Sequence, residues 1–332
     1  MRSDVGTRAV SLSSGIPLRR APAVRDSGRY AVPMPSGFDV ACIGLVTADT
    51  IVAVPSWPAP DGRVISEPIV RSGGGPAATA AVTAARLGCS VALFGAVGDD
   101  ASGADLVEGL AREGVDVGGV ISVPGRTAES IVVVDRSADT RTILHAPGVE
   151  LAALDDAARA RCGTAAWIHV DHAGYGLLGD LPRERASVDA GNPIESLSLD
   201  GLGLYAPTAD GLAARYGTTD PFTGLRMALG EGAQRVAVTL GGRGAIAADG
   251  SGAWRCAAPT VAVGSTLGAG DVFHGAMVAS LAGGASLPDA LGRAVTAAAL
   301  SCRATDARSA IPGLVELEDA VAQAPPVERI VL

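Results

Sequence analysis

The chain has 332 residues, 48% of them hydrophobic, with 44 glycines and a formal charge of −9. That length carries a sizeable core, as one large α/β domain or a domain with a small appendage, and the acidic balance gives no basic footprint for nucleic acid. All 26 basic residues are arginine, which excludes a Walker A loop and lysine Schiff-base chemistry, so any nucleotide must be held by backbone amides and arginine. Cys42, Cys89, Cys162, Cys256 and Cys302 are scattered without a Cys-x-x-Cys pair, which argues against a disulfide framework or a zinc knuckle and fits a reducing cytoplasm. No apolar run approaches a membrane span and no signal-peptide hydrophobic region opens the chain, so a soluble, unexported protein with no membrane partner is expected.

Residues 1–37 are rich in Arg, Ser, Pro and Gly without periodicity and read as a disordered N-terminal extension. A buried strand is expected over Phe38–Val46, running into Thr47-Ala48-Asp49. Residues 51–70, with Pro55, Pro58, Pro60 and Asp61-Gly62, read as extended segments joined by turns. Gly73-Gly74-Gly75 then enters an alanine-rich helix that stops at Gly88. A strand over Val91–Gly95 and a helix over Ala101–Glu113 continue a βαβ rhythm, and Ser130–Asp135 with Thr140–His145 forms a hairpin.

From Leu151 the pattern alternates: helix Leu151–Arg161, strand Ala166–Val170, helix near Gly179–Arg185, strand Ala186–Asp189. This predicts a doubly wound, mostly parallel sheet with helices on both faces, plus a small β-sheet. His169-x-Asp171-His172 invites a metal reading, but histidines three apart at a strand end face opposite sides, and no metal-ligating residue is predicted. Val236–Leu240 is a buried strand opening into the Gly241–Gly244 turn.

Next, Ala257–Val263 is short, apolar and β-compatible, and Val272–Ala285 is helix-compatible, so the stretch between them reads as strand, glycine turn, helix. Gly268 and Gly270 let backbone amides point into open space at a helix entrance, where the dipole favours an anion such as phosphate. Asp271 stands where a carboxylate could take a proton from a hydroxyl attacking that phosphate. A tight turn with an N-cap aspartate is the alternative.

Thr266, Gly268, Ala269, Gly270, Asp271, Phe273 and Gly275 resemble the second signature of the ribokinase (PfkB) family of carbohydrate kinases, Asp-Thr-x-Gly-Ala-Gly-Asp-x-Phe-x-x-Gly, with Ser265 in place of the leading Asp. The segment from Gly73 to Gly88 resembles the first signature, Gly-Gly-x-x-x-Asn-x-Ala-x-x-x-Ala-Arg-Leu-Gly, with Thr79 at the Asn position. The resemblance runs over roughly residues 38–320, within a kinase domain placed at 38–325, and is strongest to sulfofructose kinase-like members.

It implies Asp271 as catalytic base, with Gly268, Ala269 and Gly270 as the anion hole. Asp49, Gly74, Gly75 and Thr79 would contact the sugar, and Thr239, Gly241, Gly244 and Thr266 the ATP. Segments near 51–72 and 126–147 would build a lid, through which a homodimer is expected. From the residues themselves, Arg136, Arg141 and His145 read as solvated lid charges, which together with Arg63 could instead surround an anionic group on the substrate. ATP and Mg2+ are the implied cofactors, although the family's Asn-x-x-Glu is not recognisable, Thr208-Ala209-Asp210-Gly211 taking its place.

The implied activity is ATP-dependent phosphorylation of the primary hydroxyl of a ketohexose-like sugar, including sulfofructose or a sugar phosphate. A kinase for an uncharged sugar or nucleoside is one alternative. A catalytically weak binding protein of the same fold, suggested by Thr79, Ser265 and the missing Asn-x-x-Glu, is another.

Overall fold

The computed structural model describes residues 37–331 apart from 139. The extension expected over 1–37 therefore lies, but for Gly37, outside the described residues. In chain order the strands are β1 Val40–Ile43, β2 Thr47–Val54, β3 Val70–Gly74, β4 Val91–Gly98, β5 Asp116–Val123, β6 Ala128–Asp135, β7 Thr140–Ala146, β8 Trp167–Val170, β9 Ala186–Ala190, β10 Leu204–Pro207, β11 Arg235–Thr239, β12 Ala245–Asp249, β13 Gly252–Cys256 and β14 Glu328–Ile330. The helices are α1 Pro76–Arg86, α2 Ala101–Arg112, α3 Asp156–Gly163, α4 Ala209–Tyr216, α5 Pro221–Gly230, α6 Ala269–Ala282, α7 Leu287–Ser301 and α8 Leu314–Val321.

The larger sheet has the order β14-β13-β12-β11-β10-β9-β8-β1-β4-β5. It is parallel from β11 through β5 and antiparallel from β11 to the β14 edge. Its parallel strands are buried on both faces, so neighbouring residues enter different cores. Val40, Cys42, Val91, Leu93 and Ala237 join α1, α6 and α7 on one side. Ala41, Ile43, Ala92, Phe94, Val236 and Val238 join α3, α4 and α5 on the other. This is the expected doubly wound α/β arrangement, with a second, smaller sheet of order β3-β2-β6-β7.

Local departures from the expectations have physical causes. The strand read over Phe38–Val46 stops at Ile43, and Asp49 lies inside β2 of the smaller sheet. Ala257–Val263 forms no strand: β13 is already paired on both sides, by β12 and β14, and Pro259 has no N–H to give a ladder. The helix expected from Leu151 begins only at Asp156, where Asp155 caps it through Ala158 N. Residues 179–185 hold one three-residue 3-10 turn at Arg183–Arg185, because Pro182 and the start of β9 leave no room for a helix. All five cysteines are free.

Candidate active site

The carboxyl ends of β1, β8, β9, β10 and β11 open into one cleft of about 480 Å³, which the smaller sheet covers. Open parallel sheets bind ligands in this place, because helix entrances and loops converge there. Leu45, His172, Asp189, Asn192, Thr208 and Thr239 line it from the larger sheet, and Asp49, Ser130, Val132, Arg141, Ile143 and His145 from the smaller one. Gly268, Gly270, Asp271 and His274, at the start of α6, form a further wall.

Helix α6 begins at Gly268, whose φ of 72° is left-handed and whose absent Cβ leaves room for Ala307, 2.6 Å from where it would stand. The helix has no side-chain cap. Ala269 N donates to Thr266 O at 3.3 Å, whereas among the described residues the amides of Gly268, Gly270 and Asp271 donate to nothing. Three unpartnered amides at the positive end of a 14-residue helix could receive an anion. They are those of 268, 270 and 271, whereas the Ala269 amide is already engaged.

Asp271 stands in the first turn of α6, on the cleft wall. Burial pushes its carboxyl up to about 8; the charges of Asp189 and Asp171 add to the rise, while His274 and Arg308 oppose it. His274, one turn further along α6, is 4% exposed and meets Asp189 through its Nε2, 3.2 Å from Oδ1. Burial alone would raise Asp189, but His274 holds it down at about 2. His274 is in turn raised, against the cost of its burial, by Asp189 and Asp271. His169 stacks 5.5 Å from His274 and is driven down to about 3 by burial, so it is neutral.

Across the cleft, Asp49 accepts from Thr47 Oγ1 at 2.9 Å and lies beside Ser130, which meets His145 Nδ1 at 3.2 Å. Burial raises the Asp49 carboxyl, with Thr47 and Arg308 pulling it back. Asp49, Gly75, His145, Thr239, Gly268, Gly270 and Asp271 thus come together in one cleft.

Other expected site residues sit elsewhere. Thr79 is fully buried in α1, and its hydroxyl accepts from Arg308 Nε at 3.2 Å instead of facing the cleft. Gly74 is small because of protein, not sugar: a Cβ there would lie 2.0 Å from Asp49 Oδ2. Arg63 is exposed in the strandless link between β2 and β3 and does not line the cleft. Gly241 stands exposed in a 3-10 turn beyond Thr239, and Gly244 packs against the Cys256 carbonyl. Thr266 accepts from Arg141 Nη1 at 2.7 Å. Asp210 is exposed and outside the lining, while Asp189, which no motif marked, is inside it. Among the described residues no cluster of three or more His, Cys, Asp or Glu could cage a metal. A Mg2+ that keeps its waters and rides on phosphate oxygens needs no such cage, so the cleft fits an ion that enters with a nucleotide.

The family model described as pfkB family carbohydrate kinase matches residues 38–184 and 201–313. The chain is 27% identical to ribokinase of Schizosaccharomyces pombe over 317 residues, 85% of this chain and 97% of that one. It is 32% identical to fructoselysine 6-kinase of Escherichia coli over 236 residues, 68% of this chain and 88% of the relative. The structure of Arabidopsis thaliana ribokinase complexed with ribose and ATP matches with a TM-score of 0.74 at 21% identity, covering 86% of this chain and 99% of that one.

The Asp189–His274 pair generates a stability test. Asp189 is depressed, so its contribution is present above its ordinary value of 3.8 and is lost as pH falls through about 2. His274 is raised, so its contribution is present below 6.5 and is lost as pH rises through its folded value. Between these limits Asp189→Asn leaves a buried imidazolium without its partner and should cost about 3–5 kcal/mol. The cost should shrink on the alkaline side, where His274 loses its proton. Urea unfolding of both proteins at pH 6 and pH 9 checks this, and a loss equal at both values would show that the pair carries no charge.

Proposed function

This chain belongs to the pfkB family of carbohydrate kinases, and from that premise we propose that it transfers the terminal phosphoryl group of ATP to the primary hydroxyl of an anionic ketohexose-like sugar. The observation that carries this reading is Asp271 at the entrance of α6, beside three unpartnered amides and in the same cleft as Asp49. Asp49 accepts hydrogen bonds from the sugar hydroxyls, steadied by Thr47, while Ser130 and His145 flank it. The amides of Gly268, Gly270 and Asp271 receive the transferred phosphoryl group, which gathers negative charge in the transition state. Thr208 and Thr239, at the ends of β10 and β11, face the nucleotide. Mg2+, carried by the phosphates, supplies charge neutralisation when bound. Asp271 takes the proton of the attacking hydroxyl.

The name of the 32% identical relative, fructoselysine 6-kinase, supports a fructose-derived acceptor. Arg141 supports a negative substituent, a sulfonate or a phosphate: it is the arginine that reaches the cleft lining. An uncharged sugar is the second reading, favoured by the ribokinase that aligns with 85% of the chain.

The outer face of the smaller sheet supports a homodimer. Thr50, Ile131 and Leu144 lie in one row across β2, β6 and β7, and Ile131 and Leu144 are 49% and 55% exposed. An apolar sheet face of this kind is covered by a partner or aggregates.

Asp271→Asn should lower kcat by roughly 10²–10⁴-fold with ATP affinity and melting temperature nearly unchanged. In the wild type kcat/KM should climb with pH towards about 8, where the free Asp271 carboxyl loses its proton. Near-normal turnover in a folded variant would remove Asp271 as the base, and no ADP release with ribose, fructose, fructose 6-phosphate or sulfofructose would overturn the kinase reading.

Arg141→Ala should raise KM for fructose 6-phosphate by about tenfold or more, the worth of a charge-assisted hydrogen bond, and leave fructose little affected. Equal changes for both sugars would make Arg141 a contact of the smaller sheet only.

For assembly, light scattering should give twice the chain mass, and Leu144→Asp should give the monomer mass. A wild-type monomer would rule the dimer out.

A further inference from the structure

Arg308 belongs to neither signature, yet it touches the surroundings of both. It lies in the turn between α7 and α8 and is 9% exposed. Its Nη2 donates to Gly74 O at 2.8 Å and its Nε to Thr79 Oγ1 at 3.2 Å. A Cβ on Gly73 would lie 2.3 Å from Nη1, so the guanidinium packs closely against the glycine backbone just before α1. The preceding residue, Ala307, packs against Gly268 at the start of α6. Arg86 fixes the turn from behind, donating to Arg308 O at 2.8 Å and Ile311 O at 2.9 Å while gripping Glu113 with two nitrogens.

We propose that Arg308 is a positioning residue of the phosphoryl-transfer site, a buried positive charge fixed between the glycine turn that backs Asp49 and the Ala307 contact that backs the start of α6, where it favours the carboxylate forms of Asp49 and Asp271 from behind the cleft. Its geometry suits that task. The guanidinium is anchored by a backbone carbonyl and a neutral hydroxyl, not by an acid bonded to it, so its field stays available to neighbouring carboxylates. The groups that face it are Asp49 from β2, Asp271 from α6, Glu113 at the end of α2 and, with like charge, Arg86 from α1. Glu113 is engaged by Arg86, which leaves Asp49 and Asp271 as the free acids. Both carboxyls are drawn back towards ionisation by Arg308. Arginine fits where lysine would not be equivalent, since it stays protonated even when burial pulls it down to about 10. The inference deepens the reading of Asp271 as base but does not need turnover to be tested.

The test is a carboxyl ¹³C titration of aspartate-labelled protein, with the Asp271 resonance assigned by its loss in Asp271→Asn. In Arg308→Gln the Asp271 midpoint should move up by about one pH unit or more, the effect of losing a nearby opposite charge. In Arg308→Lys, which keeps the charge and loses the fork, it should stay close to the wild-type value. If Arg308→Gln does not fold, Arg308→Met, which keeps the apolar stem, carries the same two outcomes. An unmoved midpoint in a folded neutral variant overturns the proposal, because a merely structural arginine would change stability alone. The acid limb of kcat/KM with fructose 6-phosphate separates the two readings: a midpoint that moves without the limb moving retires Asp271 as base and leaves Arg308 in its role.

Discussion

One carboxylate holds the two sheets and the first signature helix in register. Asp171, fully buried at the end of β8, accepts backbone hydrogen bonds from Leu45 at 2.8 Å, Ala77 at 3.2 Å, and Ala173 and Gly174 at 2.9 Å each. Leu45 starts the link from β1 to the smaller sheet, Ala77 is in the first turn of α1, and Gly174 turns the chain back after β8. Each of these amides would be orphaned in the interior without it, at a cost of about 1–3 kcal/mol apiece. Burial pushes the Asp171 carboxyl up, and its donors at Leu45, Gly174 and Ala77 draw it back. The local chain is shaped to it, since a Cβ on Gly44 would lie 2.2 Å from Oδ1. The position of Asp49 on β2, and of α1 beneath the cleft, both follow from this knot.

The same knot sets the charge of the site. Asp171, Asp189 and Asp271 form a buried acidic group whose mutual repulsion is felt most by Asp271, the member without a direct partner. Asp189 is neutralised by His274, Asp171 by four amide dipoles, and the neutral His169 stacks beside His274. Asp271 is left with its proton affinity raised by burial and by the neighbouring carboxylates, which would suit a base for a sugar hydroxyl. The buried cations His274 and Arg308 oppose that rise and favour the ionised form of Asp271.

Much of this was legible in the sequence, because it is local. Gly268, Gly270 and Asp271 announce a helix entrance by composition, and the alternation from Leu151 onward announces a parallel sheet. What was not legible is long-range. Arg308 and Thr79 are 229 residues apart, and no local pattern tells a buried arginine from a solvated one. Asp189 ends a strand like many turn-forming aspartates; only its pairing with His274, 85 positions away, gives it meaning. Thr79 looked like a shortened substrate contact because its place in the signature is conspicuous, whereas its helix turns that face towards the turn after α7. Arg63 failed for the opposite reason: the link between β2 and β3 has no ladder to hold it near the cleft, and Arg141, in a paired strand, occupies the place expected of it.

The smaller sheet is tied to the catalytic turn in two unequal ways. Arg136 grips Glu67 with two nitrogens and reaches the Gly264 carbonyl, and Arg141 reaches Thr266, but these are exposed contacts, each worth little in water. Beneath them Ile51, Ala53, Val132 and Val134 pack on Leu267 and Ala307, a separate apolar cluster that removes the inner face of the sheet from water. Burying even two or three such side chains is worth several kcal/mol, more than the arginine contacts together. The seating of the sheet over the cleft is therefore set by Leu267, next to the anion site, and Ala307, next to Arg308. The exposed arginine bonds could be exchanged for water at small cost, while the apolar contact holds the strand of Asp49 over the cleft wall of Asp271.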